Sequence, residues 1–315
     1  MSDYQLTVIA LGAIAFGIYM LIKGGDVTID AATHIAEKSG LSKLFIAATI
    51  IAFGTSAPEL FTSINANLGG FVGISVGNVI GSNIANILLV LGVAAIIAPV
   101  IFNKIEVRVD TAMMVFATAV LSVAVYLGVL PRMAGIAMVL SLAGYIFYQY
   151  KTRKIQVEDD DGEEYEGNPY VKVTLGIVTL LVGAEILVQG AVAGGVAIGV
   201  PEAIIGMTVI AFGTSLPELT ACVAAARKGQ SEIIIGGIVG SNIFNIMSVL
   251  AITAVAKPLV IDPNFTQMDL PIVIAVTLAF SFFLLVFGKI GRLVGISMLV
   301  LYMAFILAQY STITI

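Results

Sequence analysis

The chain has 315 residues, 59% of them apolar and 11% charged, with a formal net charge of −5. Soluble domains carry about a quarter charged residues, so this balance excludes an ordinary soluble domain and gives no basic surface for nucleic acid. The lone cysteine, Cys222, excludes an internal disulfide. The apolar residues fall in long blocks such as Leu6–Ile22 and Leu270–Phe287, and a run of about 18 or more reads as a membrane helix. The first block lacks the basic start and small-residue cleavage site of a secretory signal, so it is read as the first span.

Turn signals and charges divide the chain into ten spans, near 5–22, 41–67, 71–98, 109–130, 133–150, 170–200, 201–226, 233–256, 269–288 and 291–310. The first and sixth have room to run longer and to tilt. If the chain crosses at each, 13 of the 15 lysines and arginines fall on one side, and only Arg132 and Lys257 on the other. Basic residues favour the cytoplasm, so both termini are expected outside a cell membrane. The one clearly polar stretch, 151–169, carries Glu158, Asp159, Asp160, Asp161, Glu163, Glu164 and Glu166. Like-charge runs repel and stay solvated, and this one lacks the ordered ligand spacing of a calcium-binding loop. It is read as a linker rather than a weak calcium sensor. The division is therefore 1–150, a linker at 151–169, and 170–315.

A shift of 159 residues lays the sequence on itself. Residues 42–91 align with 201–250 without a gap, and 23 of those 50 positions are identical. IAFGTSAPE at Ile51–Glu59 meets IAFGTSLPE at Ile210–Glu218, and GSNIANI at Gly81–Ile87 meets GSNIFNI at Gly240–Ile246. The echo reaches the first and sixth spans, where Gly24 and Asp26 match Gly183 and Glu185. Each half has five spans, an odd number, so the second must enter the membrane from the opposite face. The expected fold is an all-α integral membrane protein of ten transmembrane helices in two inverted five-helix repeats, a plan common in secondary transporters.

Glu59 and Glu218 lie inside apolar spans, where an ionised carboxylate costs ~2.5–3.5 kcal/mol on insertion scales. No basic residue lies within the second, third, seventh or eighth span away from its ends, which leaves a mobile cation as the natural partner. Gly54 and Pro58, and Gly213 and Pro217, interrupt the helices there. Proline frees a backbone carbonyl one turn back. Thr55 and Ser56 stand four and three residues before Glu59, and Thr214 and Ser215 before Glu218. Carboxylates, hydroxyls and carbonyls suit hard cations such as Ca2+ and Na+. The alternative, a kinked helix whose hydroxyls satisfy freed backbone groups, is weakened by the second copy. Ser82 with Asn86, and Ser241 with Asn245, are spaced i and i+4 and present oxygens on one face. Their glycine neighbours Gly73, Gly77, Gly81, Gly236 and Gly240 suit close helix packing, and both roles can hold together. Asn83 and Asn242 face elsewhere by helical angle. Asp26 and Glu185 either line an ion vestibule or, as the favoured reading, tie helix ends or face solvent. His34, placed in a loop, and Cys222 have no partner motif.

These paired GTSxPE and GSNxxN blocks in two five-helix halves resemble the alpha repeats of the sodium/calcium exchanger family, within the cation/calcium exchanger superfamily. The resemblance spans essentially the whole chain and is strongest to compact prokaryotic members. It implies four cation sites at the midplane, with no resident cofactor. It implies as ligands Ala52, Thr55, Ser56, Glu59, Ser82 and Asn86, with Ala211, Thr214, Ser215, Glu218, Ser241 and Asn245. Ala52 and Ala211 would act through their carbonyls, and the long first and sixth helices would slide across the rest. Many members carry Asp where this chain has Asn245, so two formal carboxylates are expected here rather than three. The linker is too short for the calcium-sensing domains of animal exchangers. The expected activity is Na+/Ca2+ antiport by a monomer in the bilayer, electrogenic and K+-independent. A calcium/proton exchanger is the alternative, although the GNxxE motif of proton-coupled relatives is missing. An uncoupled cation channel is a further class. A membrane enzyme is disfavoured, because the chain has neither an HExxH motif nor a Ser–His pairing.

Overall fold

The computed structural model describes residues 3–153, 167–197 and 213–313. The acidic run from Glu158 to Glu166, Ala211 and the first half of the expected seventh span lie outside them. The first half of the chain begins with α1 (Asp3–Ser39), followed by α2 (Lys43–Thr55), α3 (Ala57–Leu68) and α4 (Val72–Ile97). It ends with α5 (Arg108–Leu127) and α6 (Arg132–Thr152). The second half contains α7 (Pro169–Ala197), α8 (Leu216–Arg227), α9 (Ser231–Ala256), α10 (Asp269–Val286) and α11 (Arg292–Ile313). Among the described residues eight helices are individually long and apolar enough to cross a membrane, and α2 with α3, bent by 43°, make a ninth span. The outer helices turn large apolar side chains outward, including Tyr126, Met133, Leu140 and Leu293. Exposed apolar surface on this scale belongs against lipid. The chain is a multi-pass membrane protein.

The first helix departs from the expected 5–22. It runs 37 residues, or ~55 Å at the helical rise, against a hydrocarbon core of ~30 Å. Lys23, Asp26 and Asp30 end the apolar block without ending the helix, because an apolar face formed by Ile29, Ala32, Ile35 and Ala36 stays buried beyond them. His34 accordingly lies in α1, not in a loop.

α1 packs antiparallel on α7 through glycines repeated every seven residues on both helices. A Cβ added at Gly17 would fall 2.8 Å from the Gly183 carbonyl, and one at Gly24 would fall 2.9 Å from the Gly176 carbonyl. One at Gly190 would lie 3.0 Å from the Ala10 carbonyl. Backbone therefore meets backbone along the seam. α9 and α4 form the centre of the remaining bundle, with most of their side chains buried. Gly236 and Gly240 let α9 lie on α2, since Cβ atoms there would come within 2.5 Å of the Leu44 carbonyl and 2.7 Å of the Ala48 carbonyl.

Two short antiparallel ribbons join the halves. β1 (Val100–Ile101) pairs with β4 (Lys289–Ile290), and β2 (Val129–Leu130) pairs with β3 (Leu259–Val260). Each ribbon takes one strand from each half, as an inverted repeat requires. An Asp stands in the first turn of both fourth-span helices, buried at Asp110 and partly buried at Asp269. Asp110 on α5 accepts from Tyr145 and Gln149 of α6 and pairs with Arg153. Its echo Asp269 on α10 accepts from Gln309 of α11 at 2.5 Å.

Candidate cation site

In the first half the GTSxPE segment breaks its helix at Ser56, and in the second Ser215 precedes α8 with matching backbone angles. Ser56 has φ −79° and ψ 7°, and Ser215 has φ −86° and ψ 3°. The break falls two residues after Gly54, with Pro58 and Pro217 inside the first turn of the following helices α3 and α8. Proline is at home there, because those N–H groups have no helical partner. Glu59 and Glu218 follow in the same first turn, where the helix dipole favours negative charge. Neither serine caps its helix with its hydroxyl, and Ser56 Oγ is left without a partner.

The partner spans carry local widening at the matching level. α4 turns into a π-helix at Asn86–Val90 and α9 at Asn245–Leu250, and α2 is π-helical over Ala47–Ile51 just before Ala52. Single π turns gather at functional sites because they shift a carbonyl and a side chain out of the α phase. Asn86 and Asn245 each sit at the first residue of such a segment.

These pieces meet across the two halves. The carboxylate of Glu59 faces the hydroxyls of Thr214 and Ser82, and that of Glu218 faces Thr55 and Ser56. A small cavity of about 10 Å3 is lined by Thr55, Glu218, Cys222 and Ser241, the room one water-sized sphere needs. Glu59 is 1% exposed and Glu218 is 4% exposed. All four of their carboxylate oxygens are buried without a hydrogen-bond partner, as are Ser56 Oγ, Asn86 Oδ1, Thr214 Oγ1 and Asn245 Oδ1. Buried polar atoms almost always find partners, so a concentration of orphaned oxygens marks a place where something else supplies them. Every orphan in this group is an oxygen, the donor type that Na+ and Ca2+ accept. The Ala52 carbonyl already accepts from the Ser56 N–H at 3.1 Å and from the Thr55 hydroxyl at 3.5 Å, so a cation there would replace the longer of the two.

Several sequence assignments change. Asn83 does not face away from the centre, whereas the Asn242 amide donates back to the Ile238 carbonyl of its own helix at 2.7 Å. The Asn83 side-chain amide donates to the Asn242 carbonyl at 3.4 Å, and the Asn245 amide donates to Asn83 Oδ1 at 3.1 Å. A side chain turned away from its own half is here turned toward the other. Asn78 went unnoticed in the sequence. Its amide donates to the Glu59 carbonyl at 3.2 Å and to Ser63 Oγ at 3.0 Å, tying α4 to α3. An unexplained polar residue in an apolar span was the available signal. Asp26 is half-buried on α1 and Glu185 is exposed, accepting from Gln189 at 2.9 Å. Neither reaches the orphaned oxygens.

Inverted halves, a span broken at Ser56 with its echo at Ser215, and oxygens gathered between them define a membrane transporter for small cations. A family model described as "Sodium/calcium exchanger protein" matches residues 9–151 and 169–311. The chain belongs to that family. It is 33% identical to the membrane protein MJ0091 of Methanocaldococcus jannaschii, over 94% of this chain and 97% of that one. It is 28% identical to the sodium/calcium exchanger MaX1 of Methanosarcina acetivorans, over 93% and 96%. Among solved structures it is similar to the sodium-calcium exchanger NCX_Mj soaked with zero Na+ and Ca2+. That match has a TM-score of 0.84 and 31% identity, and it covers 96% of this chain and 99% of that one.

Proposed function

We propose that this protein exchanges Na+ for Ca2+ across the cell membrane by alternating access at the site between α3 and α8. The observation that carries the reading is the set of buried, unpartnered oxygens on Glu59, Glu218 and their neighbours. Ala52, Thr55, Ser56, Glu59, Ser82 and Asn86 are the proposed ligands of one half. Thr214, Ser215, Glu218, Ser241 and Asn245 are those of the other, with Ala211 beside them. Two carboxylates balance one Ca2+ or two Na+. A third Na+ would carry net charge through the membrane, and one charge is worth ~2.3 kcal/mol per 100 mV. Exchange is then electrogenic.

Bare carboxylates also explain the coupling. An empty site would expose two uncompensated charges to a low-dielectric path, which is costly, so the protein crosses between states only when loaded. The α1–α7 pair is the proposed moving part, and both termini are placed outside by the basic asymmetry. A monomer suffices for this cycle. The test is 45Ca2+ uptake into proteoliposomes loaded with Na+, with K+, or with a proton gradient alone. Uptake driven by Na+ only supports exchange of these two ions. Uptake driven by protons alone overturns it, and Ca2+ flux that needs no counter-ion makes the protein a channel.

A further inference from the structure

The two ends of the site are not closed alike. At the end where the basic residues cluster, α1 lies on α8, and a Cβ at Gly25 would sit 3.3 Å from the Ala224 and Thr220 side chains. α8 buries Leu216, Pro217, Glu218, Ala221, Cys222 and Ala224–Ala226. Its counterpart α3 buries Glu59, Ser63 and Asn67 alone, and Phe61, which matches Thr220, is 66% exposed. Among the described residues, one end of the path is thus covered by a long helix, and the other is not.

The covered end carries a tie. Lys228 follows α8 directly, and its ammonium lies 2.5 Å from Asp30 Oδ1 and 3.3 Å from the Asp26 carbonyl, both on α1. A shift of 159 residues carries Lys228 onto Gly69 and Asp30 onto Gln189. The matching positions therefore have neither the ammonium nor the carboxylate. Among the described residues, a repeat that copies the proposed ion ligands on both sides has placed this ion pair on one side only.

We infer that Lys228 and Asp30 form a one-sided latch, which holds α1 on α8 and favours the state open to the outside. The inference rests on the proposed exchange and orientation. The latch must break each time the site opens to the cytoplasm. An ion pair on one of two states shifts their ratio and leaves the intrinsic affinity of the site untouched. The apparent affinity at each face scales with the fraction of carriers facing it. Removing the latch therefore strengthens apparent Ca2+ binding at the cytoplasmic face relative to the outer face. The pair is partly exposed, and such pairs are worth up to about 1 kcal/mol, so the expected shift is about two- to fivefold.

The experiment measures half-saturating Ca2+ for Na+-driven flux from each face of vesicles of known sidedness. Lys228→Gln and Asp30→Asn are each compared with the native protein. Two variants are needed because Lys23 and Lys172 line the groove beside Asp30 and could replace one lost cation. The ratio of the cytoplasmic to the outer value should fall about two- to fivefold in both. Gly69→Lys with Gln189→Asp, which transplants the tie to the other end, should lower the same ratio while the native latch stays in place. An unchanged ratio in all variants, equal shifts at both faces, or a rise in the ratio overturns the latch. Loss of Na+-driven flux in the native protein would instead overturn the exchange reading.

Discussion

Replacing Glu218 by glutamine keeps the shape of the site and removes one of its two charges. The carboxylate is almost fully buried and has no hydrogen-bond partner, so its charge is balanced by the cation alone. With Glu218→Gln, a bound Ca2+ would face only Glu59 and leave one positive charge uncompensated in the bundle. Breaking a buried ion pair by removing one partner costs ~3–5 kcal/mol, which weakens Ca2+ binding by about a hundred- to several-thousandfold. The same substitution removes a desolvated charge from the ion-free protein, so its thermal midpoint without ions should be no lower than the native one. Two measurements follow on the purified protein, Na+-driven 45Ca2+ flux in proteoliposomes and the rise in thermal midpoint on adding Ca2+ in detergent. Both should be lost in Glu218→Gln and in Glu59→Gln. Flux within tenfold of native, or an intact Ca2+-dependent rise in the midpoint, would refute the assignment of these carboxylates as the counter-charge.

A cysteine placed at Asp160 should react with an impermeant reagent only from the cytoplasmic side, and one at Asp3 only from outside; the reverse pattern inverts the topology. Replacing Glu158–Glu166 by a neutral flexible linker of equal length should leave flux and its Ca2+ dependence nearly unchanged, whereas a large shift in half-saturating Ca2+ would make that run a sensor. Native flux in choline medium should be independent of K+, because Asn245 supplies a dipole where a further buried cation would need a charge; a collapse without K+ refutes this. Gly240→Ala should destabilise the bundle by about 1–3 kcal/mol through overpacking, since its Cβ would lie 2.6 Å from the Ala48 Cα; an unchanged unfolding midpoint would show that α2 moves aside freely.

The parts of this molecule that repeat were the parts legible in the sequence. Glu59 and Glu218 stand out because charge in an apolar span is costly and because the same costly residue occurs twice in one motif. The position of the helix break was only roughly legible. Gly54 and Pro58 bracket it, but the chain bends at Ser56, where the first-turn proline sets the start of the new helix. That α1 could run past residue 22 was legible, but where it ends was not, because hydropathy sees Lys23, Asp26 and Asp30 as an end, whereas packing against α8 continues past them. Asn83 was misplaced for a different reason. Helical periodicity tells which way a side chain leaves its own helix, and it is silent on a second copy waiting across a pseudo-twofold axis. The one-sided ion pair of Lys228 and Asp30 was visible only as a difference between the repeats, once the structure had put the two residues in contact.

The glycine seam between α1 and α7 has a mechanical consequence. Gly17 and Gly24 on one helix, and Gly176, Gly183 and Gly190 on the other, recur every seven residues, or ~10 Å along the axis. Between these positions the seam is filled by side chains such as Met20, Leu180 and Leu187 pressed into the facing backbone. To slip past one another, the helices would have to lift every such tooth from its notch at once, so the pair behaves as one shaft. Its contacts with the surrounding bundle are of another kind. Ile177 and Val188 project from α7 over Gly54 and Gly213, and bare glycine there meets branched side chains rather than interlocked backbone. Away from the Lys228–Asp30 tie, the molecule is geared within the shaft and smooth around it, so the proposed stroke would carry both helices together.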